Sequence, residues 1–171
     1  MTPHQAESVH DDLREEAREE TWWLPDPDGF AACALSGSTR TVSDARTFTW
    51  ATLRSWQLCA GVAEDAALVV SELVSNALRY GSPAAEGDGG PRPAGALARF
   101  CPAWLALTRQ DRSVLCAVSD AGTTTPVMRP QDPLAESGRG LHIVDRLSEA
   151  WGWTQPDQAG KTVWATVPVR G

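Results

Sequence analysis

Residues 65–81, DAALVVSELVSNALRYG, decide how this chain is read. Ala66, Val69, Val70, Leu73, Val74, Ala77 and Leu78 recur at helical spacing, and the stretch is predicted to be a buried central helix closed by Gly81. Ser71, Glu72, Ser75, Asn76 and Arg79 interrupt the apolar run. Glu72 and Asn76 stand four residues apart, one helical turn from each other on one face. A carboxylate and a carboxamide so placed offer acceptor oxygens to a hard divalent cation or to an activated water. For the pair alone, a helix showing two polar side chains to solvent is the better reading, because Glu and Asn at this spacing are common. The rest of the chain changes that balance.

The chain has 171 residues, 42% of them hydrophobic, enough for one domain with a sheet and covering helices. A net charge of −7 argues against nucleic acid as a main partner, since phosphate binding needs a basic face. Cys33, Cys59, Cys101 and Cys116 are widely spaced, without C-x-x-C or a paired histidine. They read as buried reduced thiols rather than a zinc site or disulfides. No apolar run approaches a membrane span, and the N-terminus lacks a basic-then-apolar signal pattern. A soluble, cytoplasmic chain with no membrane contact is expected.

Residues 1–20 carry seven acids against two bases and few apolar side chains. Such a segment cannot bury much, and 1–29 reads as an acidic, flexible extension, with the compact domain at 30–171. Trp22-Trp23-Leu24 within it reads as a tail docked on the parent domain. Residues 30–35 are expected to form an edge strand. Thr41 with Asp44 resembles a capping box, opening a helix to about Leu58 along Val42, Ala45, Phe48, Thr49, Leu53 and Trp56. Gly61 is placed between that helix and the central one. Residues 82–95, rich in Gly, Pro and Ala, are expected to be a flexible loop. Residues 104–108 and 114–119 read as strands joined at Gln110-Asp111-Arg112, the second a central strand buried on both faces. Residues 151–154 and 162–167 complete a last hairpin through the polar run PDQAGK.

The strand over 114–119 runs into Asp120-Ala121-Gly122. An acid at the end of a buried strand can accept from an exocyclic amine, and the glycine lets a flat ring approach the backbone. A plain turn explains the same residues equally well. Residues 123–137 hold three prolines and no periodicity, a pattern expected of a lid or an insert. Gly138-Arg139-Gly140-Leu141 then opens a helix with Leu141, Val144 and Leu147 as its apolar stripe. Backbone N–H groups at a helix N-terminus form a phosphate site, to which Arg139 can add a cation. The Walker and Rossmann fingerprints are both absent.

Taken in order, Glu72-x-x-x-Asn76-Ala77, Asp120-x-Gly122, a loop, Gly138-x-Gly140 and a final strand with Thr162 resemble the Bergerat (GHKL) ATPase fold. VVSELVSNALRYG and ESGRGLHIVDRL are similar to the anti-sigma factor serine/threonine kinases, a likeness that covers about residues 30–169. The resemblance implies an α/β (α+β) two-layer sandwich, with a mixed, mainly antiparallel sheet and helices on one face. It implies ATP and Mg2+ as cofactors, Asn76 as the magnesium ligand and Glu72 as general base. It further implies Asp120 as acceptor from the adenine amine, with Gly122 beside the ring. Gly138, Arg139, Gly140 and Leu141 would cover the phosphates, and Thr162 would hold adenine through water. The implied partners are an anti-anti-sigma factor-like protein, phosphorylated on serine, and a sigma factor, in a homodimeric arrangement. Two positions depart from the family pattern: Thr124 stands where a second glycine is expected, and Tyr80 where a histidine is. The alternative is a non-catalytic ATP-binding module that sequesters a regulatory protein. A detached hydrolase or histidine-kinase fragment fits less well, because no helix resembles a phosphoacceptor-bearing dimerisation helix.

Overall fold

The computed structural model describes residues 29–81, 103–128, 130, 138–156 and 159–169. Expectations for the acidic extension before residue 29, for the loop over 82–102 and for most of 129–137 lie outside the described residues. Five strands and three helices follow in the order β1 (Phe30–Leu35), α1 (Thr41–Ser55), α2 (Ala60–Tyr80), β2 (Ala103–Arg109), β3 (Ser113–Asp120), α3 (Gly140–Leu147), β4 (Ala150–Trp153) and β5 (Lys161–Pro168). The sheet order is β1-β2-β3-β5-β4, with all four pairings antiparallel. The mixed component expected from the resemblance is thus not found among the described strands. β1 is an edge strand as expected, and β4 is the other edge.

Strand alternation explains the layering. Ala31, Cys33 and Leu35 of β1, Leu105 and Leu107 of β2, Val114, Cys116 and Val118 of β3, and Val163, Ala165 and Val167 of β5 all turn to one face. There they join Val69, Val70, Leu73 and Val74 of α2, Phe48 and Leu53 of α1, and Val144 of α3 in one hydrophobic core. The helices therefore pack on one side of the sheet, with α2 at the centre between α1 and α3. β3 is the central strand but is not buried on both faces: Leu115, Ala117 and Ser119, on the side away from the helices, are only half-buried.

α2 begins at Ala60, so Gly61 lies inside its first turn and not between two helices. Gly81 is its C-cap, and the Gly81 N–H donates to Ala77 O at 2.7 Å. The capping box expected at Thr41 is absent. α1 is preceded by Arg40, which makes no side-chain cap bond, and the Thr41 hydroxyl instead lies 3.2 Å from Ser36 Oγ. Thr41 is buried, and its hydroxyl meets the Ser36 and Ser38 hydroxyls of the preceding loop.

The thiols divide by position. Cys33 and Cys116 are buried and free, whereas Cys59, which precedes α2, is exposed, contrary to the expectation of burial; Cys101 lies outside the described residues. Burial pushes the Cys33 and Cys116 thiols from an ordinary 9.0 up to about 12. Between those two values the unfolded chain sheds protons that the folded chain keeps. The unfolded state then binds fewer protons, so stability falls as pH rises through that window and is complete below it. Iodoacetamide at pH near 8 is expected to modify Cys59 and spare Cys33 and Cys116, as peptide mapping would read. Urea midpoints should decline above pH ~9, and less steeply in Cys116→Ala.

Candidate nucleotide site

The end of the sheet where β3 finishes and β5 begins opens into a cavity of about 390 Å³ between α2, α3 and the segment after β3. Glu72 and Asn76 of α2, Asp120 at the end of β3, and Gly138, Arg139, Gly140 and Leu141 at the start of α3 all line it. Sequence separation hides this closeness: α2 and α3 pack together, and α2 also crosses β3 and β5. Ala77, Leu141, Ile143 and Val163 supply apolar wall, and Thr124, Thr125, Pro126 and Val127 add the start of the loop after β3. Tyr80 also lines the cavity and stays exposed, with the Arg79 guanidinium carbon 6.0 Å from its ring centroid. A concave site with apolar walls and a few convergent polar groups is the usual form of a small-molecule pocket. A second hollow of about 450 Å³, at the opposite end of the same strands, is lined by Arg112, Arg146 and Glu149 among others and contains none of these groups.

Two residues expected at the site are placed differently. Gly122 does not line the cavity; it is buried behind Asp120, and its N–H donates to Asp120 Oδ1 at 2.8 Å. Thr162 lies on the other face of β5, paired with Ser119, and the two hydroxyls are 2.7 Å apart. Alternation turns Thr162 away because its neighbour Lys161 turns in.

Lys161 is the main group that the sequence reading missed. It opens β5, directly opposite Asp120 in the β3–β5 register. Its ammonium donates to Asp120 Oδ1 at 2.7 Å and to Gly122 O at 3.3 Å. The two side chains are 4% and 1% exposed, so this ion pair is screened from bulk water. Three glycines close on Asp120, two at its side chain and one at its main chain. A Cβ on Gly81 would stand 2.8 Å from Asp120 Cγ, and one on Gly122 would stand 2.9 Å from Asp120 Oδ1. At Gly160, with φ +107°, a Cβ would run into the Asp120 carbonyl oxygen. The Gly122 N–H and the Lys161 ammonium both donate to Oδ1, which fixes that side of the carboxylate, while Asp120 still faces the cavity.

At the other end of the cavity Gly140 rests against the Glu72 carboxylate, where a Cβ would collide with Oε2. The α3 ladder begins with Ile143 N–H donating to Arg139 O at 3.2 Å. The Gly140 and Leu141 N–H groups precede it, at the positive end of the helix.

A family model for the histidine kinase-like ATPase domain matches residues 35–167, most of the chain. The chain belongs to this family. No curated protein matches it. The antiparallel sheet with helices on one face is the Bergerat (GHKL) architecture, and membership implies an ATP-binding domain. The ATPase domain has apolar wall for a ring at the Asp120 end and donor groups for phosphates at the α3 end, so its cavity fits a nucleotide. Among the described residues no three His, Cys, Asp or Glu side chains form a metal cage. Asn76 and Glu72 offer oxygen donors to the cavity, and magnesium commonly takes one or two protein ligands together with substrate phosphates. No helix among the described residues of this ATPase domain is long and apolar enough to cross a membrane.

Proposed function

We propose that this ATPase domain is a serine/threonine kinase, transferring the γ-phosphate of ATP to a serine on an anti-anti-sigma-type partner. The observation that carries the reading is the position of Glu72. One carboxylate shares a cavity with Asn76 a turn away, and lies against the Gly140 backbone at the start of α3. A general base, a cation ligand and phosphate-facing amides so grouped are the parts that phosphoryl transfer asks of a protein. The choice of a protein serine rests on the likeness of residues 69–81 and 136–147 to anti-sigma factor kinases, as do a sigma factor partner, a homodimer and a cytoplasmic setting.

In this reading Asp120 accepts from the adenine amine and Gly122 holds Asp120 in place. Asn76 would hold Mg2+, which when bound neutralises charge on the phosphates. The Gly138–Leu141 backbone and Arg139 face the transferred group. Glu72 takes the proton of the serine hydroxyl as its oxygen bonds to the γ-phosphorus. The bond from that phosphorus to the β,γ-bridging oxygen breaks, and ADP leaves with the electron pair.

Gly140→Ala tests the contact with Glu72. The added methyl meets the far end of a flexible side chain, so Glu72 rotates away while the helix keeps its form. Transfer is expected to fall by about 10- to 100-fold, with stability unchanged or raised by up to about 1 kcal/mol. Single-turnover rates and a urea melt read the two effects separately.

The proposal itself is tested by incubating the protein with labelled ATP, magnesium and a candidate partner. Label on a partner serine supports it. Stable partner binding without transfer supports instead a module that sequesters the partner while holding nucleotide.

A further inference from the structure

Resting on the reading of the cavity as an ATP site, we propose that Lys161 is a second base-reading group, donating from its ammonium to the ring nitrogen N1 of adenine beside the amine that Asp120 accepts. An ammonium carries three hydrogens and no lone pair. Two are directed to Asp120 Oδ1 and Gly122 O, at 2.7 and 3.3 Å. Among the described residues no acceptor takes the third, and Lys161 lines the cavity. Both hydrogen bonds received by Asp120 fall on Oδ1, one from Gly122 N–H and one from Lys161, which leaves Oδ2 for a ligand. The pair therefore presents an acceptor and a cationic donor side by side. The Watson–Crick edge of adenine offers the complement, an amine hydrogen next to an unprotonated ring nitrogen.

Burial gives the contact its weight. A lysine 4% exposed has exchanged its hydration for fixed partners, and a charge-assisted bond to a ligand nitrogen there is stronger than one made in water. A surface lysine gains less from the same contact, because water competes for its donors. Lys161 is held by β5 register on one side and Asp120 on the other, so its donor is already oriented before the base arrives.

The test is a cycle of two ligands and two proteins, read by calorimetry: ATP and 1-deaza-ATP, against wild type and Lys161→Met. Replacing N1 by C–H is expected to weaken binding to wild type by about 10- to 100-fold and binding to Lys161→Met by much less. An equal penalty in both proteins would overturn the role of Lys161 and leave the ATP site standing. Tighter ATP binding by Lys161→Met would overturn it too, because the lysine would then be filling the space that the base needs. Absence of ATP binding by the folded wild-type protein would overturn both the inference and the site on which it rests. If Lys161→Met fails to fold, Lys161→Gln retains a neutral donor. It is expected to show a smaller penalty than wild type, and a penalty equal to that of wild type would count against the ammonium.

Discussion

Glu72→Ala is expected to leave ATP binding close to that of wild type and to slow phosphoryl transfer by about 100-fold or more. Glu72 is half-buried on α2, at the end of the cavity away from Asp120, and its carboxylate touches the Gly140 backbone. Nothing in that position reads the base, so the nucleotide keeps its main anchor when the acid is removed. The transferred proton loses its acceptor, and the cost appears in the rate of the chemical step rather than in affinity. The check is a single-turnover rate beside a calorimetric Kd, with Glu72→Gln as the variant of matched size. Equal transfer rates in wild type and Glu72→Ala would remove Glu72 from the role of base.

A larger effect on both fold and binding is expected from Asp120→Ala. The substitution leaves the Lys161 ammonium buried with Gly122 O as its one remaining partner among the described residues. Breaking one side of a buried ion pair costs about 3–5 kcal/mol, far more than the pair itself contributes over an apolar replacement. The same change removes the acceptor for the base, so ATP binding should be lost as well as stability. The double variant Asp120→Ala/Lys161→Met separates the two consequences. With both charges gone, stability should return toward wild type in a urea melt, while ATP binding stays lost in calorimetry. Recovery of binding together with stability would show that Asp120 acts through the fold alone.

These expectations draw on parts of the site that the sequence displays to different degrees. The α2 periodicity, the Glu72–Asn76 spacing and the glycines before α3 are local patterns, and the structure brings them to one cavity. Lys161 is not a local pattern. It sits in the polar run PDQAGK, which reads as a solvated turn, and only pairing with a strand 41 residues away sets it against Asp120. One signal was present: Lys161 shares the parity of Val163, Ala165 and Val167, the buried face of β5. That parity also sends Thr162 to the other face, where it meets Ser119. The burial of Thr41 was equally out of reach, since it depends on the loop carrying Ser36 and Ser38. Glycine had two uses that spacing alone does not separate. Gly140 makes room for Glu72, while Gly81, Gly122 and Gly160 make room for Asp120.

The central claim is that α2, the end of β3 and the start of α3 together hold one magnesium nucleotide, and calorimetry on wild type and Asn76→Ala tests it most directly. Saturable binding of ATP to wild type is predicted, strengthened by magnesium, with the magnesium-dependent part weakened by about tenfold or more in Asn76→Ala. No binding by folded wild type, or the same magnesium-dependent affinity in both proteins, would contradict it.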